Sequence, residues 1–112
     1  MLPASVRIFV CLAPQDMRRS FDALALVTKD VLGQDPQSGA LFVFVGKRAT
    51  RVKVLWWDQT GYCLLYKRLH RALFAVPAGD GNSTSIDATA FSELMRGVAK
   101  ESRVKRLTGR LH

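Results

Sequence analysis

The apolar and polar positions of this chain alternate between two periods. From Val6 to Leu12 β-branched and aromatic residues dominate, and the run stops at Pro14, which predicts a first strand. From Asp16 the spacing changes. Met17, Phe21, Leu24, Ala25, Thr28, Val31 and Leu32 recur at helical intervals, while Arg18, Arg19, Asp22, Lys29 and Asp30 make a polar face. Asp16 is the expected cap of this helix and Gly33 its stop. Asp35-Pro36-Gln37-Ser38-Gly39 is dense in turn formers and resets the chain.

Leu41 to Val45 is a continuous apolar run, which predicts a strand buried on both faces or sandwiched between sheet and helix. Gly46 to Thr50 fits a hairpin connection. Arg51 to Asp58 fits the following strand, with Val52, Val54 and Trp56 alternating against Arg51, Lys53, Leu55 and Trp57. Asp58-Gln59-Thr60-Gly61 fits a second hairpin turn that Asp58 initiates, and Tyr62 to Leu69 a third strand of the meander. A short strand is expected at Phe74 to Val76, and a loop at Ala78 to Ser83. A second helix follows, capped by Ser85 or Asp87, with Phe91, Leu94, Met95 and Val98 on its apolar face. The expected fold class is therefore α+β. A single domain over residues 1–99 has a mostly antiparallel sheet, a meander of about four to five strands, packed by two α-helices. Residues 100–112 hold five cations against one acid and few core formers, which predicts a frayed or disordered basic tail.

Composition sharpens the functional question. A 112-residue chain that is 48% apolar can bury one core without disulfides or metals. Its 17 Lys and Arg against 9 Asp and Glu leave a formal charge of +8, and eleven of the cations are arginine. Guanidinium groups suit planar and bidentate anions, so nucleic acid is the leading partner from composition alone. Cys11 and Cys63 lie far apart in apolar surroundings, which fits reduced, buried thiols in a cytosolic protein. The first residues carry no basic segment of a signal peptide, Arg7 interrupts the apolar run, and no stretch approaches a membrane span. A cytoplasmic protein with no membrane partner is expected.

Catalytic constellations fail by inventory. There is no Gly-rich phosphate loop, and the only histidines are His70 and His112, so neither a metal site nor a Ser–His–Asp arrangement is readily built. No catalytic residue, metal or cofactor is expected. The acids Asp16, Asp35, Asp58, Asp80 and Asp87 sit at caps or turns. The basic constellation is stronger. Lys47, Arg48, Arg51 and Lys53 crowd one hairpin, and Lys67, Arg68 and Arg71 lie one strand further on. Pairing through the turn at 58–61 sets positions 51–53 roughly opposite 66–68, so seven cations would share one end of a sheet. They would either grip phosphates or form a solvated strand face. Arg18 and Arg19 would either extend the patch or, with Asp22 beside them, form an ordinary solvated helix face. Trp56 and Trp57 must point to opposite faces, so one enters the core while the other is helix-covered or free to stack on a base or partner, with Trp57 the candidate. Tyr62 and Tyr66 are expected to pack.

The residues also carry a resemblance. Asp16-Met17-Arg18-Arg19-Ser20-Phe21-Asp22-Ala23-Leu24, then Leu32 through Phe44, then Arg51-Val52-Lys53-Val54-Leu55-Trp56-Trp57-Asp58-Gln59-Thr60-Gly61 and Lys67-Arg68-Leu69 occur in that order. This resembles the small TnpB-like accessory protein encoded beside the transposase in the insertion-sequence-sixty-six type of bacterial mobile elements, over about Val6 to Val98. The motif falls on Asp16, Met17, Arg18, Phe21, Asp35, Pro36, Gly39, Arg51, Lys53, Trp57, Asp58, Gly61, Lys67 and Arg68. Ala23, Thr50, His70, Ala72 and Val76 depart from it, and Thr50 and His70 replace acids, which makes the basic region more positive. The resemblance implies a non-catalytic helper in DNA transposition whose partner is a separate transposase. Two readings follow: a DNA-binding accessory factor that uses Lys47, Arg48, Arg51, Lys53, Lys67, Arg68, Arg71 and Arg18, or a protein–protein adaptor that docks the transposase without touching DNA.

Overall fold

A computed structural model describes residues 5–100. The expected basic tail therefore lies, apart from Lys100, outside the described residues. The elements run β1 (Ile8–Cys11), α1 (Phe21–Asp30), β2 (Leu41–Val45), β3 (Arg51–Trp57), β4 (Tyr62–Arg68), β5 (Ala72–Leu73), β6 (Ser83–Ile86), α2 (Ala88–Arg96) and β7 (Val98–Ala99). Five strands form one sheet in the order β4-β3-β2-β1-β6, and β5 pairs with β7 in a small second sheet. β2, β3 and β4 form the expected antiparallel meander, whereas β1 and β2 are parallel and joined through α1.

All five side chains of β2 are buried, as its unbroken apolar run requires. Alternation sends them to two separate cores. Leu41, Val43 and Val45 join Ile8, Val10, Val52 and Val54 beneath α2, where Leu94 is buried and Phe91 and Met95 pack alongside. Phe42 and Phe44 join Cys11 and Leu55 beneath α1, which contributes Leu24 and Val27. The sheet is thus a middle layer with a helix on each face. Each fully buried side chain of this size contributes roughly 1.5–3 kcal/mol relative to exposure.

The helix boundaries differ from the sequence expectation in instructive ways. Asp16 does not cap α1. Its carboxylate is taken up locally by Arg18, and the helix starts at Phe21 with Ser20 as N-cap. Gly33, at φ 65, ends the segment as expected. The buried stripe of α1 is narrow, comprising Leu24, Val27 and Thr28, so Phe21 and Val31 stay exposed despite their helical spacing. Asp87 does cap α2, accepting a hydrogen bond from the Ala90 N–H at 2.8 Å. Gly97 then turns the chain at φ 75, a conformation that L side chains avoid. A Cβ there would lie 3.0 Å from the Leu73 carbonyl oxygen. Val98 consequently leaves the helix and enters β7.

Beside β7, two further strands differ from the sequence expectation. The short strand expected at Phe74 to Val76 is instead Ala72–Leu73, because Phe74 is fully buried and its N–H donates to the Ala49 carbonyl at 2.6 Å. Ser83 falls in the expected loop but opens β6, an edge strand paired with β1 from Ile8↔Ile86 to Cys11↔Ser83. Cys63, on the edge strand β4, is half-buried rather than buried, and both cysteines are unbridged. Replacing Phe44 with alanine should cost about 3–5 kcal/mol of stability, and Leu24 about 2–5, by urea denaturation. Val31→Ala, at an exposed position, should stay within about 0.5 kcal/mol.

Candidate functional site

Because β1 and β2 run parallel, their C-terminal ends leave the sheet at the same end. The segment after β1 is fastened to the hairpin after β2 by the Gln15 N–H, which donates to the Val45 carbonyl at 2.9 Å. β3 starts and β4 finishes at this end, since both run antiparallel to their neighbours. The result is a cleft of about 480 Å³ lined by Gln15, Asp16, Met17, Arg18, Gly46, Lys47, Arg48, Thr50, Arg51 and Arg68. Five of these are cations and one is a carboxylate.

Each wall has a local cause. The hairpin tip carries Lys47 and Arg48, both exposed. It closes through the Ala49 N–H donating to the Gly46 carbonyl at 2.9 Å and leaves Ala49 at φ 58. Such a conformation is uncommon outside glycine and persists where surroundings over-determine it. Here the chain after β4 supplies that support: the Leu69 and Phe74 N–H groups donate to the carbonyls of Thr50 and Ala49. On the opposite wall the Asp16 carboxylate accepts the Arg18 backbone N–H at 2.9 Å and, at 2.7 Å, its Nη2. The Arg18 guanidinium beside Asp16 holds its carboxyl well below the usual carboxylate range. Arg18 itself remains 92% exposed.

The floor of the cleft contains a repulsive pair. Arg51 and Arg68 are direct cross-strand partners and so share one sheet face. Among the described residues the one ion pair is Arg18–Asp16, so no carboxylate relieves them. Like charges directly opposite destabilise a sheet, and an anion seated between them removes that penalty.

The expected patch of seven cations is divided, by burial for Lys53 and by side-chain alternation for Lys67. Lys53 is not a surface residue. It is only 6% exposed, its Nζ donates to the Arg19 carbonyl at 2.6 Å, and it lies 4.8 Å from the centroid of the Tyr66 ring. Lys67 falls on the α2 side, with Val52 as its partner, and its Nζ donates to the Met95 carbonyl at 2.7 Å. It thereby serves the last turn of α2, where carbonyls lack helical partners. Arg71 is exposed but does not line the cleft. The lysines therefore hold the two helical segments to the sheet, while Lys47, Arg48, Arg51, Arg68 and Arg18 face the cleft.

Trp57 is half-buried, with its ring edge-on to Tyr62 at 5.0 Å between centroids, and Trp56 packs against the α2 core. Asp58 initiates its turn as expected, accepting the N–H groups of Thr60 and Gly61 at 3.1 Å each. These bonds, led by that from Thr60, lower its pKa. Tyr66 departs from expectation: it is 51% exposed, on the strand at the sheet edge. No group of three or more His, Cys, Asp or Glu that could hold a metal occurs among the described residues. Nor is any described helix long and apolar enough to cross a membrane.

Comparison with known proteins decides the family. The model of the family described as IS66 Orf2 like protein matches residues 6–105. The chain belongs to this family. The IS66 Orf2-like proteins are accessory proteins of IS66 transposition. Two relatives from Sinorhizobium fredii (strain NBRC 101917 / NGR234) match over most of their length. The uncharacterized protein y4hO is 39% identical over 100 residues, covering 88% of this chain and 87% of that protein. The uncharacterized protein y4jC is 34% identical over 101 residues, covering 90% and 86%. No solved structure matches the chain. The IS66 Orf2-like motif residues now sort by place. Asp16, Met17, Arg18, Arg51 and Arg68 line the cleft, Lys53 and Lys67 tie its frame, and Asp35 and Pro36 border a second hollow beside Tyr62.

Two stability measurements test this division of labour. Lys53→Met keeps the aliphatic stem but leaves the Arg19 carbonyl without its donor, and should cost about 1–3 kcal/mol in urea denaturation. Arg68→Thr should instead raise stability by about 0.2–1 kcal/mol, and the gain should shrink as salt screens the arginine pair.

Proposed function

We propose that this IS66 Orf2-like protein is a non-catalytic, DNA-binding accessory factor that assists a separate transposase. The cleft at the sheet end grips the phosphate backbone through Lys47, Arg48, Arg51, Arg68 and Arg18. The observation that carries the reading is the Arg51–Arg68 pair. Two opposed guanidinium groups on a rigid two-strand register, with no carboxylate partner among the described residues, are complementary to an anion and to little else. Lys47 and Arg48 extend the same field along the hairpin. Contacts of this kind position a protein on DNA without reading sequence.

The test is fluorescence anisotropy with a labelled duplex of about 30 base pairs and a single-stranded oligonucleotide, titrated at several salt concentrations. Four or more phosphate contacts predict a log–log salt slope of about −3.6 or steeper on duplex, and about −2.8 on a single strand. Arg48→Ala and Arg51→Ala should each flatten the slope by about one contact, and Arg48→Ala should leave stability within about 0.5 kcal/mol. Negligible binding of both nucleic acids at low salt would overturn the reading in favour of an adaptor that contacts the transposase directly.

A further inference from the structure

We propose that Tyr66 is a stacking platform for an unpaired base, so that the site prefers single-stranded DNA to duplex. This deepens the DNA-binding reading and rests on it.

The argument begins with position. Tyr66 and Arg68 share a parity on β4, and their cross-strand partners are Lys53 and Arg51. All four therefore lie on one face of the sheet. Arg51, Tyr66 and Arg68 line a depression of about 230 Å³ that shares both arginines with the larger cleft. β4 is the outermost strand, so nothing in the sheet overhangs the ring.

The ring is also braced. Lys53 is buried, fixed to the Arg19 carbonyl, and sits over the Tyr66 ring at 4.8 Å. One side of the ring thus has a buried amine against it, while the residue as a whole is 51% exposed. Covering the Lys53 amine needs an apolar side chain on this edge strand but not an aromatic one. A base stacked on the ring would bury exposed surface, and Arg51 and Arg68, about 6.7 Å along the strands, would meet the adjoining phosphates. Base–aromatic stacking flanked by cations is the general physics of single-strand binding. A duplex cannot use such a ring, because its bases are already paired and stacked.

The experiment compares a single-stranded oligothymidylate of about 12 nucleotides carrying one central 2-aminopurine with a duplex of equal length. Tyr66→Leu keeps apolar cover over Lys53 but has no aromatic face, and Tyr66→Phe keeps the ring. The wild-type protein and Tyr66→Phe should bind the single strand more tightly than the duplex and quench the 2-aminopurine. Tyr66→Leu should lose roughly tenfold or more in single-strand affinity, consistent with one stacked base. It should also lose the quenching while its duplex affinity stays unchanged. Unaltered single-strand affinity in Tyr66→Leu, or no quenching by the wild type, with salt-dependent duplex binding intact, overturns the stacking role alone. Failure of both nucleic acids to bind overturns the DNA-binding reading beneath it.

Discussion

Leu41–Val45 has no polar face, and much of the architecture follows from that constraint. A strand buried on both sides needs cover on both sides, and this chain has two helices to provide it. α1 lies between β1 and β2 in sequence, so placing it over the sheet makes the β1–β2 connection a crossover and the pair parallel. Parallel strands release their chains at the same end. The segment after β1 and the hairpin after β2 therefore meet, and antiparallel β3 and β4 bring Arg51 and Arg68 to the same place. The position of the cleft is a consequence of how the core is covered.

Depth along the strand and alternation then give neighbouring cations different work. Arg51 and Arg68 stand at the strand ends, beyond the reach of either helix, and remain in solvent. Lys53, two residues inward on the same face, meets the chain leading into α1 and is committed to the Arg19 carbonyl. Lys67, one residue inward on the other face, meets the end of α2 and is committed to Met95. The flexible lysine stem reaches a single carbonyl, whereas the planar guanidinium suits a paired anion. Net charge alone overstates such a surface, because part of it is spent on internal fastening.

What was legible in the sequence was local or periodic. The turns at 46–50 and 58–61, the meander and even the register of Arg51 against Arg68 follow from pattern and loop length, because a hairpin fixes its own pairing. What was hidden depends on contacts distant in sequence. Ser83-Thr84-Ser85-Ile86 carries little apolar signal, and only the backbone of β1 makes it a strand. Asp16 looks like a helix cap until Arg18 competes for its carboxylate. The burial of Lys53 depends on where the chain leading into α1 crosses the sheet, and the exposure of Tyr66 on β4 being its edge. No periodicity reports either.

The opposed arginines bear on how such a site holds its shape. In a loop, two guanidinium groups would relieve their repulsion by moving apart. Here the backbone beneath them cannot yield easily, because β3 and β4 are paired at seven successive positions and Leu69 is further bonded to Thr50. The two arginines therefore stay opposite one another in the free protein, and negative charge arriving between their exposed side chains draws the guanidinium groups together. A ligand need not order the site before using it, so less of its interaction energy is lost to conformational entropy. Lys53 contributes to the same economy from below, since it fixes both the Arg18–Arg19 segment and the Tyr66 ring through one buried amine. The register that keeps the two arginines opposite one another is the property that would make the pair a good receptor for an anion.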